Sequence, residues 1–435
     1  MPDILLVFGD PYKKRGVDGQ VLCDGDRKLL HVGAPAHHGR QVDDEVPLAR
    51  VVCEKVATVV LHENDTRVGP GLGMLSALRY EGVDAGDAIS AGRESIAKVP
   101  SDKAGTSSDE NAHLKEIDRV FYLKAVAYFR LMKCIVTTTI FSPSEALKKF
   151  AAMPGWHLVV AGDNKTPHAD YLSLENTTYL SPEKQKELYP KLSELIGWNC
   201  IQRRNIALLH AYKLGAEVVA LVDDDNIPLD GWGQDLMIGR PTVCNVYTPT
   251  KYPLVFDPVS ATEYKHIWHR GYPLPWLNGK NEWTKEPGLV TPAIQADFWN
   301  GDPDIDAVCR CEHAPDCTFD PANFPIATTA LSPFNSQNTF LSREVIPDYF
   351  CFPHIGRMDD IWAAYYVEAR GHKVVYGKAS VYQARNEHNL VTDFKNEIIG
   401  YSNTHDLVVD PLQIQKFIPE NSWAAFLEYQ REINL

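Results

Sequence analysis

The 435-residue chain is 44% hydrophobic and 23% charged, the composition of a soluble globular protein, and its length calls for two domains with room for a third. A net charge of -14 disfavours passive adhesion to nucleic acid or anionic membrane, which need basic surface, although a local patch could still hold a nucleic-acid substrate. No stretch has the length of a membrane span, the start MPDILLVFGDPYKK carries acid and proline where a signal peptide is basic, and nine cysteines suit reduced thiols, so the expected location is cytoplasmic.

In chain order, the apolar runs Ile4 to Phe8 and Val56 to Leu61 read as buried strands. The glycine-rich Gly69 to Met74 could cradle a phosphate, but its spacing matches neither glycine fingerprint and suits a plain turn better. His37 and His38 read as loop residues, and the polar stretch 100–111 as a linker. Apolar residues at helical spacing predict a helix over His113 to Lys133.

From Lys133 the pattern becomes alternating strands and helices. Cys134 to Ile140 predicts a strand, Ser144 to Ala152 a helix capped by Ser142 or Ser144, and His157 to Ala161 a second strand. The stretch Trp198 to Glu217 predicts a helix closed by Gly215, and Val218 to Val222 a further buried strand. Such alternation predicts an α/β fold with a mostly parallel sheet, whose ligands bind beyond the carboxyl ends of the strands. Thr138 and Thr139 leave the first of these strands, Asp163 and Lys165 the second, and Asp223, Asp224 and Asp225 the last. Three adjacent carboxylates repel unless a cation neutralises them, and hard divalent ions take such ligands together with substrate phosphates. A solvated acidic turn is the competing reading of LVDDDNIP. Arg203 and Arg204 could reach a phosphate or clamp the aspartates, or stand exposed in a first helical turn.

Later segments add three features. Trp268, Trp276, Trp283 and Trp299 could stack on sugars or bases, or form core. Cys309, Cys311, His313 and Cys317 are a complete ligand set for structural Zn2+, against the simpler reading of reduced loop cysteines. Asn421 or Ser422 could cap a last helix presenting Trp423, Phe426 and Leu427 on one face, packed on the domain or on a second subunit of a homo-oligomer.

The ordered segments TTTIF, GDNKTP, CIQRRN, LVDDDN, RGYPL, IGRMDDIWAAYY and KASVYQARNEHN resemble the reversibly glycosylated polypeptides, which include the UDP-arabinopyranose mutases, and the related STELLO-type glycosyltransferases. The resemblance covers about residues 133–401. It implies a GT-A fold, Rossmann-like and specialised for nucleotide-diphosphate sugars, with Mn2+ or Mg2+ as cofactor. It places Asp223 and Asp225 as metal ligands, with Asp223 and Asp224 also facing the nucleotide sugar. Thr138, Thr139, Asp163 and Lys165 join the donor site by their strand-end positions, and Arg204 joins it from the beginning of its helix. Arg270 falls on the arginine that the polypeptides glycosylate, and Arg357, Asp359 and Asp360 on the motif lining the sugar. Where the mutases carry a histidine after a tyrosine in the last strand, this chain has Gln383 after Tyr382, which leaves His388 as the candidate imidazole ligand.

The chemistry can be argued from charge alone. Metal at the Asp triplet would stabilise a leaving diphosphate. Asp359 and Asp360 open an apparent helix, where one is expected to be an N-cap and the other to contact sugar or accept an acceptor proton. Arg270 reads better as a phosphate ligand or ion-pair partner than as a nucleophile, because a guanidinium stays protonated. The expected organisation is an N-terminal region of unassigned role over 1–130, a GT-A domain over 131–405 and an extension with a helix over 406–435. The expected function is metal-dependent transfer from a nucleotide-diphosphate sugar, with UDP as the nucleotide, to a glycan, protein, small molecule or nucleobase acceptor. A pyranose/furanose mutase and a non-catalytic sugar-nucleotide-binding protein are the alternatives.

Overall fold

The computed structural model describes residues 132–384 and 389–435, together with two short strands nearer the start. The chain divides into two compact units, Met1–Arg130 and Leu131–Leu435. In the first, β1 (Gly19–Leu22) pairs antiparallel with β2 (Leu29–Val32), a hairpin that the sequence reading does not assign. The strands expected at Ile4 to Phe8 and Val56 to Leu61, the turn at Gly69 to Met74, His37, His38 and the stretch 100–111 lie outside the described residues. So does nearly all of the helix expected over His113 to Lys133. Lys133 itself opens a strand, which corrects the end of that helix.

The second unit begins with β3 (Lys133–Thr139), α1 (Glu145–Ala151), β4 (His157–Gly162), α2 (His168–Tyr171) and β5 (Thr177–Leu180). Then come α3 (Pro182–Leu188), α4 (Pro190–Ile196), α5 (Arg204–Lys213) and β6 (Val218–Val222). These four strands are parallel, in the order β5-β4-β3-β6. Their sequences, KCIVTTT, HLVVAG and VVALV among them, are continuous apolar and β-branched runs because both faces of a parallel sheet are covered. Helix α1 starts where the Ser144 hydroxyl accepts the Leu147 N–H at 3.1 Å. Helix α5 is entered through a 3-10 turn, Ile201–Arg203, and stops before Gly215, whose φ of +88° ordinary side chains avoid.

The chain steps outward from β3 to β4 to β5 and then returns to the other side of β3 as β6. Strand order therefore reverses between β3 and β6, and the crevice beyond their carboxyl ends is the place where such sheets bind ligands.

The remainder is antiparallel and mixed: β7 (Asn226–Pro228), β8 (Thr242–Pro249), β9 (Trp283–Val290), β10 (Ile294–Gly301), α6 (Ala307–Glu312), β11 (Ile326–Thr328) and β12 (Asn338–Ser342), then α7 (Asp359–Ala369), β13 (Val374–Gln383), α8 (Leu390–Leu407) and α9 (Glu420–Ile433). β12 runs against β6, and the sheet continues β12-β10-β13-β11-β8-β9, with β7 on β13, to make eleven strands in a mixed α/β fold. This topology brings the carboxyl ends of β10 and β13 and the amino end of β12 to the same edge as Asp223.

Helix α9 corrects the sequence reading in two respects. Its N-cap is Pro419, so Asn421 and Ser422 fall inside the first turn. Phe426 packs against Phe350, Phe352 and Tyr366, with ring centroids 5.5–5.6 Å away, whereas Leu427 is half exposed on another face. No helix among the described residues is long and apolar enough to cross a membrane.

Gly271 of RGYPL shows how tightly the second half closes. Its φ is +82°, and a Cβ there would lie 2.2 Å from Cγ2 of Ile361 in α7. Gly271→Ala is expected to destabilise the protein by about 1–3 kcal/mol through strain and overlap, read as a lower urea midpoint.

Candidate active site

At the switch crevice, the Thr139 hydroxyl at the end of β3 donates to the Asp224 carboxylate at 2.5 Å, and the Ser144 hydroxyl donates to the Asp224 carbonyl at 2.5 Å. The turn after β6 is thus pinned to β3 and to the start of α1. Burial holds the Asp224 carboxyl above its ordinary range, and the neighbouring charge of Asp223 adds to the effect. Asp223 is clamped differently, by Nη2 of Arg204. Arg204 is buried, and Nη1 donates to the Ser336 carbonyl at 2.8 Å and to the Ser336 hydroxyl. Burial alone would lower its proton affinity, yet the Asp223 carboxylate more than reverses this and keeps the guanidinium charged. Of the three readings for Arg204, the structure shows the clamp on Asp223 and rules out an exposed first turn.

Ser336 links this cluster to a second. Its N–H and hydroxyl donate to Oδ2 of Asp360 at 2.9 and 3.0 Å. Asp360 receives Arg270 at 3.0 Å, and the same guanidinium donates to both oxygens of Asp304, with contacts of 2.9 Å. All three groups are buried, so Arg270 is an ion-pair residue with every nitrogen engaged. Asp359 and Asp360 stand in the first turn of α7, and neither is its N-cap, which corrects the expectation for that pair. Their environments differ sharply. Burial would raise Asp360, but Arg270 holds it below the ordinary carboxylate range. Asp359, whose Oδ2 accepts the Gln202 amide at 2.7 Å, is pushed up to about 7 by burial and by the charge of Asp360. Arg357 donates to Glu397 at 2.6 Å and lies 3.8 Å from Asp304, which ties α8 to the same network.

Sequence reasoning missed Asp304 and the run Asn335 to Asn338. The Asn335 amide donates to Asp304 at 2.9 Å, Gln337 accepts the Asn226 amide on its carbonyl at 2.6 Å, and the Gln337 amide donates to Gln383. Gln383, the departure from the mutase pattern, is therefore buried inside this network. Four consecutive polar residues leading into the short strand Asn338–Ser342 were the available signal, although by themselves they read as a turn.

Other expected residues are occupied elsewhere. The Thr138 hydroxyl donates to the Ala161 carbonyl at 2.7 Å within the sheet. The Asp163 carboxylate accepts the N–H groups of Asn164 and Cys200, while Lys165 is exposed at the edge. His388 lies outside the described residues. Trp268 and Trp299 are buried core, Trp268 donating to Asp306 at 2.7 Å; Trp283 donates to Ser260, and Trp276 stacks on Tyr252. The zinc set of Cys309, Cys311, His313 and Cys317 does not converge: Cys309 and Cys317 are buried, Cys311 is exposed, and His313 meets His266 edge-on at 5.1 Å. Among the described residues no three His, Cys, Asp or Glu side chains are arranged to hold a metal. Burial pushes the Cys309 and Cys317 thiols up to about 12, as expected of inert structural cysteines.

Beside the triplet, an open cleft of about 390 Å³ lies over the end of β13, lined by Asp302, Arg310, Asp316, Tyr382, Gln383 and Ala384. The Ala384 N–H donates to the Asp225 carbonyl at 3.4 Å, so the cleft wall and the triplet share a backbone hydrogen bond.

No family model matches the chain. Two curated proteins of Arabidopsis thaliana are similar to part of it. The probable glycosyltransferase STELLO2 is 27% identical over 194 residues, and the probable glycosyltransferase STELLO1 is 27% identical over 192, each alignment covering 42% of this chain and 25% of the relative. The chain thus spans about a quarter of the length of these relatives. The similarity to STELLO-type glycosyltransferases implied by the ordered motifs is present. Among solved structures, glucosyl-3-phosphoglycerate synthase from Mycobacterium tuberculosis in complex with Mn2+, uridine diphosphate and phosphoglyceric acid aligns at 14% identity and a TM-score of 0.32, covering 68% of this chain and 82% of that one. Its complex with phosphoglyceric acid aligns at 14% and 0.31, covering 68% and 83%.

Two predictions follow from the buried charges. Arg270→Ala leaves Asp360 without its ion-pair partner and Asp304 with only Arg357, 3.8 Å away, and should cost about 3–5 kcal/mol in a denaturant titration. Asp359, raised in the folded protein, adds stability that is complete below its unfolded value near pH 4 and is lost as pH rises through about 7. Asp306 and Asp297, raised to about 7 and about 6, titrate over part of the same range in any variant, so a difference is needed. Urea midpoints from pH 5 to 8 should shift in favour of Asp359→Asn relative to wild type as pH increases.

Proposed function

We propose that residues 131–405 are a GT-A glycosyltransferase domain that transfers a sugar from a nucleotide diphosphate, with UDP as the nucleotide, in a divalent-metal-dependent reaction. The observation that carries this reading is the position of Asp223 to Asp225 at the lip of the β3/β6 switch crevice, next to an open cleft. The curated relatives, named as probable glycosyltransferases, support the same class.

The donor chemistry fits a hard cation: Asp223 and Asp225 offer carboxylate oxygens, and Mn2+ or Mg2+ is commonly held by one or two carboxylates plus substrate phosphates. When bound, such an ion supplies positive charge against the leaving diphosphate. The chain's own residues do the rest. Arg204 fixes Asp223, while Thr139 and Ser144 fix the turn through Asp224. Lys165, exposed at the end of β4, is the cation we assign to the diphosphate. Asp359, near neutrality in proton affinity, is the carboxyl suited to accept a proton from an acceptor hydroxyl. Arg270 acts as a positioning residue through Asp304 and Asp360.

We rank the mutase below the transferase because Arg270, the residue that the mutase resemblance marks for glycosylation, is buried and clamped by two carboxylates. A non-catalytic sugar-nucleotide-binding protein would bind the donor without turnover. The test is thermal shift with a panel of nucleotide sugars, with Mn2+ or with chelator, on wild type and Asp225→Ala. A metal-dependent rise of several degrees with one UDP-sugar, lost in the variant, is expected. No shift with any nucleotide sugar would overturn the proposal. Isomerisation of the bound nucleotide sugar without an acceptor would replace it with the mutase.

A further inference from the structure

The CRCEHAPDC side chains form no converged ligand set among the described residues, yet the structure gives the segment a place. Gly301 and Cys317 exchange two backbone hydrogen bonds of 2.8 Å, which fold the segment back onto the end of β10. Ala314, Pro315 and Asp316 thereby form a wall of the cleft whose opposite side is the end of β13. Along β13 the side chains alternate. Gln383 is buried, and Tyr382 is 42% exposed in the cleft. Gly301 makes room for this tyrosine: a Cβ there would lie 3.2 Å from the Tyr382 ring and 2.5 Å from the Gln383 carbonyl.

The lining chemistry is selective. Two carboxylates, Asp302 and Asp316, face one guanidinium, Arg310. Nη2 of that guanidinium donates to Asp302 at 2.6 Å and to the Pro303 carbonyl, while its Nε is buried without a hydrogen-bond partner among the described residues. Among the described lining residues two carboxylates outnumber one guanidinium, and this negative balance disfavours phosphorylated or carboxylated ligands. Carboxylates and an exposed aromatic ring suit a neutral polyhydroxylated ring, whose hydroxyls donate to oxygen and whose C–H face packs on the tyrosine. A volume of about 390 Å³ is at the small end of ligand pockets, which fits a short saccharide.

We propose that this cleft is the acceptor subsite and takes a neutral saccharide, with Tyr382 as its stacking platform. The proposal rests on the glycosyltransferase reading for its meaning as an acceptor site, but saccharide binding itself requires neither donor nor metal.

Full-length protein is tested by saturation-transfer NMR and titration against neutral gluco-, xylo-, manno- and galacto-oligosaccharides and the matching sugar phosphates, without nucleotide or metal. One neutral oligosaccharide series is expected to bind. Its dissociation constant should rise at least tenfold in Tyr382→Ala and stay within about twofold in Tyr382→Phe, with both variants melting as wild type because the side chain is exposed. Failure of every neutral saccharide to bind, preference for the phosphates, or equal binding by Tyr382→Ala overturns the proposal. Asp225→Ala keeps the two readings separable: it should abolish the donor shift and leave saccharide binding unchanged. Saccharide binding without any donor shift would defeat the transferase and retain the site.

Discussion

Of the arginines buried in the second unit, Arg204 and Arg270 are answered by carboxylates, and the geometry of the strand edge depends on those two pairings. Arg204 is held by Asp223 and Ser336, Ser336 by Asp360, and Asp360 by Arg270, which also grips Asp304. Burying a charge is costly unless hydrogen bonds and a counter-charge meet it, and here each guanidinium meets both. The chain of contacts joins residues far apart in sequence and crosses from the parallel strands to the antiparallel ones. Asp223 is thus positioned by β12 and α7 as much as by its own strand.

The parallel half was legible because its signals are local. Runs such as CIVTTT and LVVAG have only one stable setting, and Ser144 and Gly215 mark helix ends by their own chemistry. The antiparallel half was not, since β10, β12 and β13 are defined by partners far away in the chain. Asn335 to Asn338 illustrates the difference. In sequence these are turn residues; once β12 lies along β6 they are buried and must satisfy one another and Asp223, Asp304 and Gln383. The Cys/His cluster favours the simpler of its two readings, reduced cysteines, for a related reason. Spacing gave a full ligand set, but helix α6 and the Gly301–Cys317 pairing carry two of the thiols into apolar surroundings.

Asp359 and Asp360 show how adjacent identical residues acquire opposite character. Both sit in one helical turn and both are buried, so neither desolvation nor the helix dipole distinguishes them. Arg270 does, by taking Asp360 and leaving Asp359 with a neutral amide as its partner. Ionising Asp360 then opposes ionising Asp359. Arg270 holds one carboxyl below the ordinary range, while burial and the adjacent anion hold its neighbour above it.

The same partition operates on β13. Successive side chains of a strand face opposite ways, so Tyr382 and Gln383 cannot share a role. Gln383 turns inward, where its carbonyl oxygen takes the Gln337 amide and closes the polar network beneath the triplet. An amide can fill that position without bringing a titratable group into it, which gives a physical sense to the departure from the mutase histidine. Tyr382 turns outward into the cleft, and the Ala384 N–H that follows binds the Asp225 carbonyl. Three consecutive residues thereby couple the interior network, the open cleft and the acidic turn, so the spacing between cleft and triplet is set by backbone rather than by mobile side chains.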